Sequence, residues 1–377
     1  MRFLLLPLVV AWSFGCKAGA TDRPPQFVML AFDNCEELPT WTEVSNFLDE
    51  MHAIDKDSVH FTFFLSAVGL LTDQARMAYT DPMGHRGHSN IDFGGSEEDV
   101  LKRIAWVNKA RAEGNEIGSH AVGHFSGKKW SADQWRHEFE QYDYILTHLS
   151  EINHFNAEQA IRAKLSFAPK DLAGFRAPYL DGGPKLNQVL SERHFTYDTS
   201  DGSQGWEPDS WPKKYKDAPT LWNFGLTFIT SSLSAPEKGF KTRQIRPLKV
   251  IAMDYNFCFT QTGGCPDKDP FADQADADAE QVLTGYLTQF AANYNGNRAP
   301  LNIGHHFQPY RNGAYDRIFL RFAKTVCNLP EVRCATYGEL AQFLGSTQPQ
   351  VLEDYQSSRF PQSPKLNLAA LLKAAAP

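Results

Sequence analysis

The sequence of 377 residues contains no apolar run of the roughly 20 residues that a membrane-spanning helix needs, and it contains no internal repeat. It has no surplus of positive charge, because 37 Lys and Arg face 44 Asp and Glu for a formal net charge of −7. This balance argues against nucleic acid or an anionic lipid surface as the main partner. No Gly-x-Ser-x-Gly motif supports a serine hydrolase. With 42% hydrophobic and 21% charged residues, the chain has the composition of a folded globular protein.

The first 20 residues have the pattern of a secretory signal peptide. Arg2 precedes an apolar run at 3–14 that is too short to cross a bilayer, and Ala18-Gly19-Ala20 is a small-x-small cleavage pattern. We therefore predict a signal peptide over 1–20 and a secreted or periplasmic protein. Lipidation of Cys16 is a minority alternative.

Cysteines are few, and five of the six lie beyond the first 20 residues. In the oxidising compartment of an exported protein, cysteines tend to pair. Cys258 and Cys265 are seven residues apart, and so are Cys327 and Cys334, so each pair is predicted to close a short disulfide loop. Cys35 is left over and is predicted to be a free, buried thiol.

Short apolar segments rich in β-branched and aromatic residues alternate with helical patterns. The predicted strands are 26–33, 59–66, 116–120, 173–179, 195–198, 221–224, 249–254 and 301–306, several of them apolar throughout as in a buried parallel sheet. A helix is predicted behind a Ser131-x-x-Gln134 capping box, and apolar spacing predicts others near 100–107 and 282–290. Strands alternating with helices indicate βαβ units, whose chemistry lies at the carboxyl ends of the strands.

Three polar, Gly- and Pro-rich insertions interrupt this pattern at about 72–97, 201–219 and 259–276. Loops of this length often border functional sites, and we expect these to do so. Segment 346–377 is predicted to be a C-terminal tail that adds little to the core.

Polar or titratable residues follow the predicted strands at the positions where a site would form. These positions are Asp33-Asn34, His120 with His124, Arg176, Asp198 and His305-His306. Two histidines four residues apart lie on one face of a helical turn and can share a metal ion. His85-x-x-His88 also resembles a metal pair, but no strand precedes it.

Each position alone has an ordinary interpretation. Asp33-Asn34 can cap a turn, Arg176 can form a surface ion pair, and His305-His306 can be one buried and one exposed histidine. Five unrelated features of this kind would not be expected to supply a base, ligands, an arginine, a second acid and a late histidine in order. The order of the residues therefore favours a catalytic site.

This order resembles the five motifs of polysaccharide deacetylases with a NodB-type domain, carbohydrate esterase family four. That family has Thr-Phe-Asp-Asp, His-Ser/Thr-x-x-His, Arg-x-Pro-Tyr, an Asp-x-Ser segment and an apolar strand ending in His. The corresponding segments here are Ala31-Phe32-Asp33-Asn34, His120-Ala-Val-Gly-His124, Arg176-Ala-Pro-Tyr179, Asp198-Thr-Ser200 and Leu-Asn-Ile-Gly-His-His at 301–306. Segments 174–183, 195–200 and 293–301 are most similar to the chitin-deacetylase-like branch.

The resemblance covers about 26–345, so 21–345 is predicted to be the deacetylase domain. It implies an α/β fold, a distorted (β/α)7 barrel with long loop insertions. It also implies one divalent metal ion, zinc in the first place, with cobalt or another ion as alternatives. The implied metal ligands are His120 and His124, completed by Asn34 or water. The other implied roles are Asp33 as general base, Arg176 as the group that holds the base, Tyr179 as backbone oxyanion donor, His306 as general acid and Asp198 as its carboxylate partner.

Two departures from the family pattern concern the metal and the substrate. The second aspartate of the first motif is Asn34 here, whose amide oxygen can ligate a metal but brings no charge, so metal affinity should fall. Gly304 stands where many members have an apolar side chain that lines the acetyl pocket. Alignment on the last motif selects His306 rather than His305 as the acid.

The leading hypothesis is an exported, monomeric, metal-dependent N-deacetylase that acts on N-acetylglucosamine units of a glycan polymer, with peptidoglycan favoured over chitin. The first alternative is a catalytically weak glycan-binding protein that lost ordinary metal binding through Asn34. Esterase action on O-acetyl xylan is a further alternative, because one tetrahedral intermediate serves ester and amide. Asp33, Arg176 and His306 favour an enzyme, since a pure binder needs no positioned base and acid.

Overall fold

The computed structural model describes residues 22–203, 210–237, 242–362 and 365–376. The predicted signal peptide with Cys16, and part of the insertion predicted at 201–219, lie outside the described residues. Within those ranges, every helix is too short or too polar to cross a membrane.

The described chain is a mixed α/β structure. Its strands are β1 (Gln26–Asn34), β2 (Thr62–Leu65), β3 (Glu116–Ser119), β4 (Gly174–Phe175), β5 (Tyr197–Asp198), β6 (Gly202–Ser203), β7 (Lys213–Lys214), β8 (Trp222–Asn223), β9 (Leu226–Pro236), β10 (Arg243–Ile251), β11 (Leu301–His306) and β12 (Val332–Ala335). Its α-helices are α1 (Leu38–His52), α2 (Glu97–Ala112), α3 (Ala132–Thr147), α4 (Leu149–Ile152), α5 (Ala157–Arg162), α6 (Pro184–Glu192), α7 (Asp254–Thr262), α8 (Ala275–Asn295), α9 (Tyr310–Val326), α10 (Tyr337–Ser346), α11 (Pro349–Gln356) and α12 (Leu368–Ala374).

The main sheet has the order β11-β1-β2-β3-β4-β5-β8-β7, and β12 also pairs with β1. All pairs are parallel except β7 with β8. The sheet curls, and Asn302 on β11 thereby comes close enough to donate a side-chain hydrogen bond of 2.6 Å to the carbonyl of Gly225, just beyond β8. The predicted α/β class and parallel sheet are confirmed, while the seven-unit barrel stays a prediction.

Strand β1 is buried on both faces, as its continuous apolar sequence predicted. Val28, Leu30 and Phe32 belong to the core between the sheet and the helices. The alternate residues Phe27, Met29 and Ala31 belong to a second cluster on the other face, which also contains Tyr197 and Tyr337. Asp33 continues this second series, so β1 delivers its carboxylate above the inner cluster.

The sequence prediction of a short strand over 249–254 is wrong in extent. Strand β10 runs antiparallel to β9 as a ribbon, and β9 alternates between buried and exposed residues. The ribbon packs on α8, where Ser231 Oγ donates to the carbonyl of Gln281 at 2.8 Å. Its serines at 231, 232 and 234 lower the apolar content of β9, which explains why the sequence did not reveal it.

The segment after residue 345 is not a loose tail. Tyr355 and Phe360 pack in the second cluster, and Leu371 of α12 packs in the main core. The expectation that this segment adds little to the core is therefore wrong. The capping box predicted at Ser131 is confirmed at the start of α3.

Both predicted disulfides are confirmed. Cys258 and Cys265 are bonded with Cα atoms 5.1 Å apart, and Cys327 and Cys334 are bonded with Cα atoms 5.4 Å apart. Cys35 is free and buried, as expected.

Candidate active site

A buried ion pair joins the ends of β1 and β4. Nη1 of Arg176 donates to Oδ1 of Asp33 at 2.6 Å, and both residues are at most 1% exposed. The guanidinium also donates to Thr199 Oγ1 at 2.6 Å and to the Tyr337 hydroxyl at 3.0 Å, and it lies over the ring of Phe64. Burial lowers the pKa of Arg176, but the Asp33 carboxylate raises it above its ordinary value. Arg176 thus contacts Asp33 as the resemblance implied, and the surface ion pair is ruled out by burial.

His120 and His124 follow β3, and each has a buried nitrogen atom without a hydrogen-bond partner among the described residues. Nδ1 of His120 lies 2.7 Å from the carbonyl oxygen of Arg176, so it carries the proton and leaves the lone pair on Nε2. This Nε2 atom and Nδ1 of His124 are buried without a hydrogen-bond partner among the described residues. Burial lowers the pKa of His120 to about 4 and that of His124 to about 2, so both imidazoles are neutral.

The helical turn expected for this pair is wrong. Residues 120–124 form an irregular turn in which Ala121 has φ 60° and His124 has φ 55°. A left-handed backbone is uncommon for alanine, whereas histidine adopts it more often than most residues. It brings the two ring centroids to 5.1 Å. The pair therefore converges through a turn shape that spacing alone does not reveal.

His306, at the end of β11, has a different carboxylate partner from the one expected. Its Nδ1 lies 2.6 Å from Oδ1 of Asp254, and its backbone N–H donates to Oδ2 of Asp254 at 2.8 Å. Burial lowers the pKa of His306, but Asp254 more than offsets this, so the pKa is raised above its ordinary value. The sequence prediction that Asp198 pairs with His306 is wrong.

The strand order gives the reason for this correction. Asp198 ends β5, five strands from β11 in the sheet, whereas Met253 bridges directly to Gly304 of β11. Asp198 instead accepts a hydrogen bond of 2.6 Å from Ser200 Oγ, which accepts one of 2.8 Å from the N–H of Ala177. Asp198 is thus a positioning residue for the Arg176-Ala-Pro-Tyr179 turn. Burial raises its pKa to about 6.

His305 points away from this site. It is fully buried, its Nε2 lies 3.0 Å from the Tyr286 hydroxyl, and its ring stacks on Phe319. His306 lines the cleft and His305 does not. This placement favours His306 over His305 as a group that reaches substrate.

Asn34 and Tyr179 both lie beside the histidine pair with left-handed backbone, at φ 68° and φ 58°. Oδ1 of Asn34 accepts a hydrogen bond of 3.0 Å from Ser66 Oγ, and its second lone pair is available for a metal. The Tyr179 ring lies 5.0 Å from the ring of His124 and is 59% exposed. The oxyanion role of the Tyr179 backbone stays a prediction.

The glycine at position 304 has a packing explanation. A Cβ atom there would lie 2.9 Å from Nη1 of Arg176 and 3.1 Å from Cε of Met253. The space is therefore already filled by the guanidinium and by a methionine methyl group. Met253 lines the cleft, so an apolar side chain is present near the expected acetyl pocket.

One cleft, with a volume of about 920 Å³, is lined by several residues of the candidate site. Among those that line it are Asp33, Asn34, His120, His124, Tyr179, Met253, Tyr255, His306 and Tyr310. The insertion at 72–97 contributes Asn90 to Gly95, as expected. The described parts of the insertions at 201–219 and 259–276 contribute nothing to the lining, so that expectation is wrong for them.

Three residues of this region escaped the sequence analysis. Asp254 directly ends the predicted strand 249–254, so the search for polar residues at strand ends should have included it. Tyr255 and Tyr310 lie at the cleft with ring centroids 5.8 Å apart. Aromatic residues carry no signal of this kind in a single sequence.

The donor atoms fit one divalent metal ion. Two neutral imidazoles with free, buried nitrogen atoms are the ligand type that zinc prefers, and a third position can be taken by Asn34 or water. A buried nitrogen without a partner is costly unless something binds it. The missing charge at Asn34 should make the ion easier to remove.

No protein-family model matches the chain, and no curated protein matches it. Similar solved structures include members of carbohydrate esterase family 4. A family 4 acetyl xylan esterase from Clostridium thermocellum, in complex with a cobalt ion, is 15% identical over 90% of this chain and 100% of that chain, with a TM-score of 0.38. The Xyl-CE4 domain of a multidomain xylanase from the hindgut metagenome of Trinervitermes trinervoides is 13% identical over 86% and 93%, with a TM-score of 0.40.

An allantoinase is similar to a comparable degree, with 15% identity over 92% of this chain and 99% of that chain and a TM-score of 0.48. Identities and TM-scores are low in all three cases, and they carry no argument about the chemistry of this chain. The argument for function therefore depends on the residues of the cleft.

Proposed function

We propose that this chain is a metal-dependent deacetylase that removes acetyl groups from N-acetylglucosamine units of a glycan polymer. One observation carries the proposal. Asp33 and His306 are paired in register on neighbouring strands, each is held by a group of opposite charge, and both face the cleft that contains the two unpartnered imidazoles.

Amide hydrolysis needs both a base and an acid, because the amine is a poor leaving group until it is protonated. Asp33 accepts a proton from the attacking water, and Arg176 holds its carboxylate in place. His306 donates a proton to the leaving nitrogen, and Asp254 favours the protonated imidazole that this step requires.

The imidazoles of His120 and His124, with Asn34 or water, would hold one divalent ion, with zinc favoured over cobalt. A bound ion supplies a Lewis acid for the acetyl carbonyl and lowers the pKa of water. Asp33 lines the same cleft as these imidazoles, and its carboxylate would take the proton of the water that attacks the acetyl group.

The mouth of the cleft supports a sugar polymer as substrate. Tyr255 is 40% exposed, Tyr179 is 59% exposed, and Tyr310 contacts Tyr255. Exposed aromatic rings beside a polar site offer flat, apolar faces with hydroxyl groups at their edges, which suits the apolar faces of pyranose rings. Peptidoglycan is favoured over chitin because the signal peptide predicted over 1–20 is of bacterial type.

Two further parts of the proposal concern the whole protein. Two disulfides support an exported protein, since such bonds persist in oxidising compartments. We assign 1–20 to the signal peptide and 21–345 to the deacetylase domain of a monomer. Residues 346–377 follow that domain, and the helices α11 and α12 lie within them.

Asn34 favours one alternative, a glycan-binding protein with weak catalysis, because the site lacks a ligand carboxylate. An esterase that acts on O-acetyl xylan would use the same base, acid and cleft. These alternatives predict different products, so one experiment separates them.

The mature protein is incubated with N-acetylglucosamine oligomers, peptidoglycan fragments and O-acetyl xylan, with zinc, cobalt or a chelator. We expect equal amounts of acetate and free amine from an N-acetylated polymer, increased by metal and strongly reduced in Asp33→Asn. Acetate from xylan alone would indicate the esterase. Glycan binding without acetate from any substrate would indicate the binding protein.

A further inference from the structure

The insertion at 72–97 contains a hairpin, residues 79–88, whose shape is fixed by its own backbone. The N–H of Gly87 donates to the carbonyl of Tyr79 at 2.9 Å, and the N–H of Asp81 donates to the carbonyl of His85 at 2.9 Å. Gly84 and Gly87 have φ 91° and 63°, which glycine adopts without strain. The hairpin therefore presents its side chains in a defined arrangement.

Three side chains of this hairpin converge on one point. The Asp81 carboxylate is buried, and its Oδ2 atom lies 3.0 Å from Nδ1 of His85 and 2.9 Å from Nδ1 of His88. One oxygen atom and two nitrogen atoms thus lie within 4.8 Å of one another. The other carboxylate oxygen already accepts the backbone N–H groups of Met83 and His85, at 2.8 and 2.9 Å.

The two imidazoles supply the hydrogen bonds to Oδ2 of Asp81, whereas the backbone N–H groups hold Oδ1 and form the turn. The backbone N–H groups already hold the carboxylate, whereas the His85 and His88 side chains are 65% and 52% exposed. Holding two half-exposed rings against one oxygen atom costs side-chain entropy. A ligand that binds all three atoms would offset that cost.

We propose that Asp81, His85 and His88 bind a second divalent transition-metal ion, zinc in the first place, separate from the ion assigned to His120 and His124. Two imidazole nitrogens and one carboxylate oxygen form a ligand set that zinc takes with an open fourth position for water. Donor atoms around a tetrahedral zinc ion lie roughly 3.3 Å apart, given bonds of about 2.0 Å. The Asp81–His85 and Asp81–His88 separations are close to this value.

Binding requires a proton shift that the exposed rings allow. Each Nδ1 atom that now donates to Asp81 loses its proton and forms a bond to the metal through its lone pair. In the metal-bound form each imidazole carries its proton at Nε2. The remaining charge is that of the Asp81 carboxylate and the ion.

The hairpin is connected to the candidate active site. Ser89 Oγ and the N–H of Asn90 both donate to the carbonyl of Gly123, at 3.1 and 2.9 Å, and Gly123 lies within the turn that carries His124. Asn90 also lines the cleft. An ion in the hairpin would therefore stabilise a wall of the cleft without taking part in the chemistry.

The test is the amount of zinc bound by five proteins after dialysis against the same zinc buffer. We expect two ions in the parent, one in H85N/H88N, one in H120A/H124A, and none in the variant that combines all four substitutions. H154N/H194N is the matched control, because both histidines are exposed and outside the cluster, and asparagine tolerates their positive φ. This control should retain two ions.

The hairpin histidines are exposed, so their replacement should leave the circular dichroism spectrum unchanged. Cobalt titration gives a second measurement, because the H120A/H124A protein should still show the visible absorption of a four-coordinate cobalt ion, and the four-substitution variant should not. Equal zinc content with and without H85N/H88N in both backgrounds would overturn the proposal. Because H120A/H124A removes the other site, failure of the deacetylase proposal would leave this result unaffected.

Discussion

Two histidine pairs lie at strand ends in this molecule, and they differ in their carboxylate contacts. Among the described residues, no carboxylate forms a hydrogen bond with His120 or His124, and burial lowers their pKa values to about 4 and about 2. His306 is also largely buried, yet its pKa is raised because Asp254 contacts both its ring and its backbone. Both pairs are largely buried. The contact with Asp254 is therefore what raises the pKa of His306 above those of His120 and His124.

Because of this difference, histidines at the two positions are suited to different chemical roles. A neutral imidazole with a free lone pair can hold a metal ion, whereas an imidazole beside a carboxylate can carry and donate a proton. His305 shows that a carboxylate nearby is not sufficient. Its Nδ1 lies 3.5 Å from Asp316, but the ring faces Tyr286 and Phe319 and does not reach the cleft.

The largest effect should come from removing the proton donor or the base. We expect His306→Ala and Asp33→Asn each to lower kcat by about 10² to 10⁴, the usual contribution of a general acid–base step, with glycan binding nearly unchanged. Steady-state kinetics and calorimetry with N-acetylglucosamine oligomers measure the two quantities. If His306→Ala were silent and His305→Ala inactive, the assignment of the acid would be wrong.

Replacing Asp254 should make His306 resemble His120. Asp254→Asn removes the charge that raises the pKa of His306, so the protonated acid is lost at lower pH. We expect the alkaline limb of the pH profile of kcat to move to lower pH and kcat at neutral pH to fall by about 10². Asp198→Asn is the matched control, and it should leave the alkaline limb in place. If the alkaline limb of the pH profile were unchanged in Asp254→Asn, the assignment of Asp254 as the partner of His306 would be wrong.

The sequence predicted the residues of the site better than their contacts. Continuous apolar segments identified β1 and β11, and the polar residues after them, Asp33 and His306, do face each other. The ends of these strands can be predicted from the sequence, because a strand that is buried on both faces consists of apolar residues up to the point where the cleft begins. The spacing of cysteines likewise identified both disulfides.

Contacts between distant segments were not predictable in the same way. The partner of His306 depends on the order of strands in space, and no local pattern reports that Asp254 rather than Asp198 reaches β11. The turn that brings His120 and His124 together depends on positive φ at Ala121 and His124, where no glycine signals it. Such features are fixed by tertiary packing, which a single sequence does not show.

A smaller effect should follow from adding a carboxylate beside the neutral pair. Asn34→Asp restores the charge that the site lacks, and aspartate tolerates the φ of 68° at this position. We expect about tenfold tighter retention of zinc, measured by competition with a chelator, if Asn34 is a ligand. The control is Asn34→Asp in the H120A/H124A background, where no gain is expected. Unchanged retention in the parent background would indicate that water, and not residue 34, completes the site.

The smallest effect should come from Tyr255 at the mouth of the cleft, whose ring contacts Phe259 and Tyr310. Tyr255→Ala removes a 40% exposed ring at the cleft, and we expect KM for long oligomers to rise about three- to tenfold with kcat nearly unchanged, in line with about 0.5 to 1.5 kcal/mol for one aromatic contact. The matched control is Tyr144→Ala on α3, because Tyr144 is 42% exposed and does not line the cleft. Tyr255 lies at the mouth of the cleft, so the rise in KM should be absent for a substrate that is too short to reach this ring. An equal rise in KM for both variants would contradict a role of Tyr255 in holding the polymer.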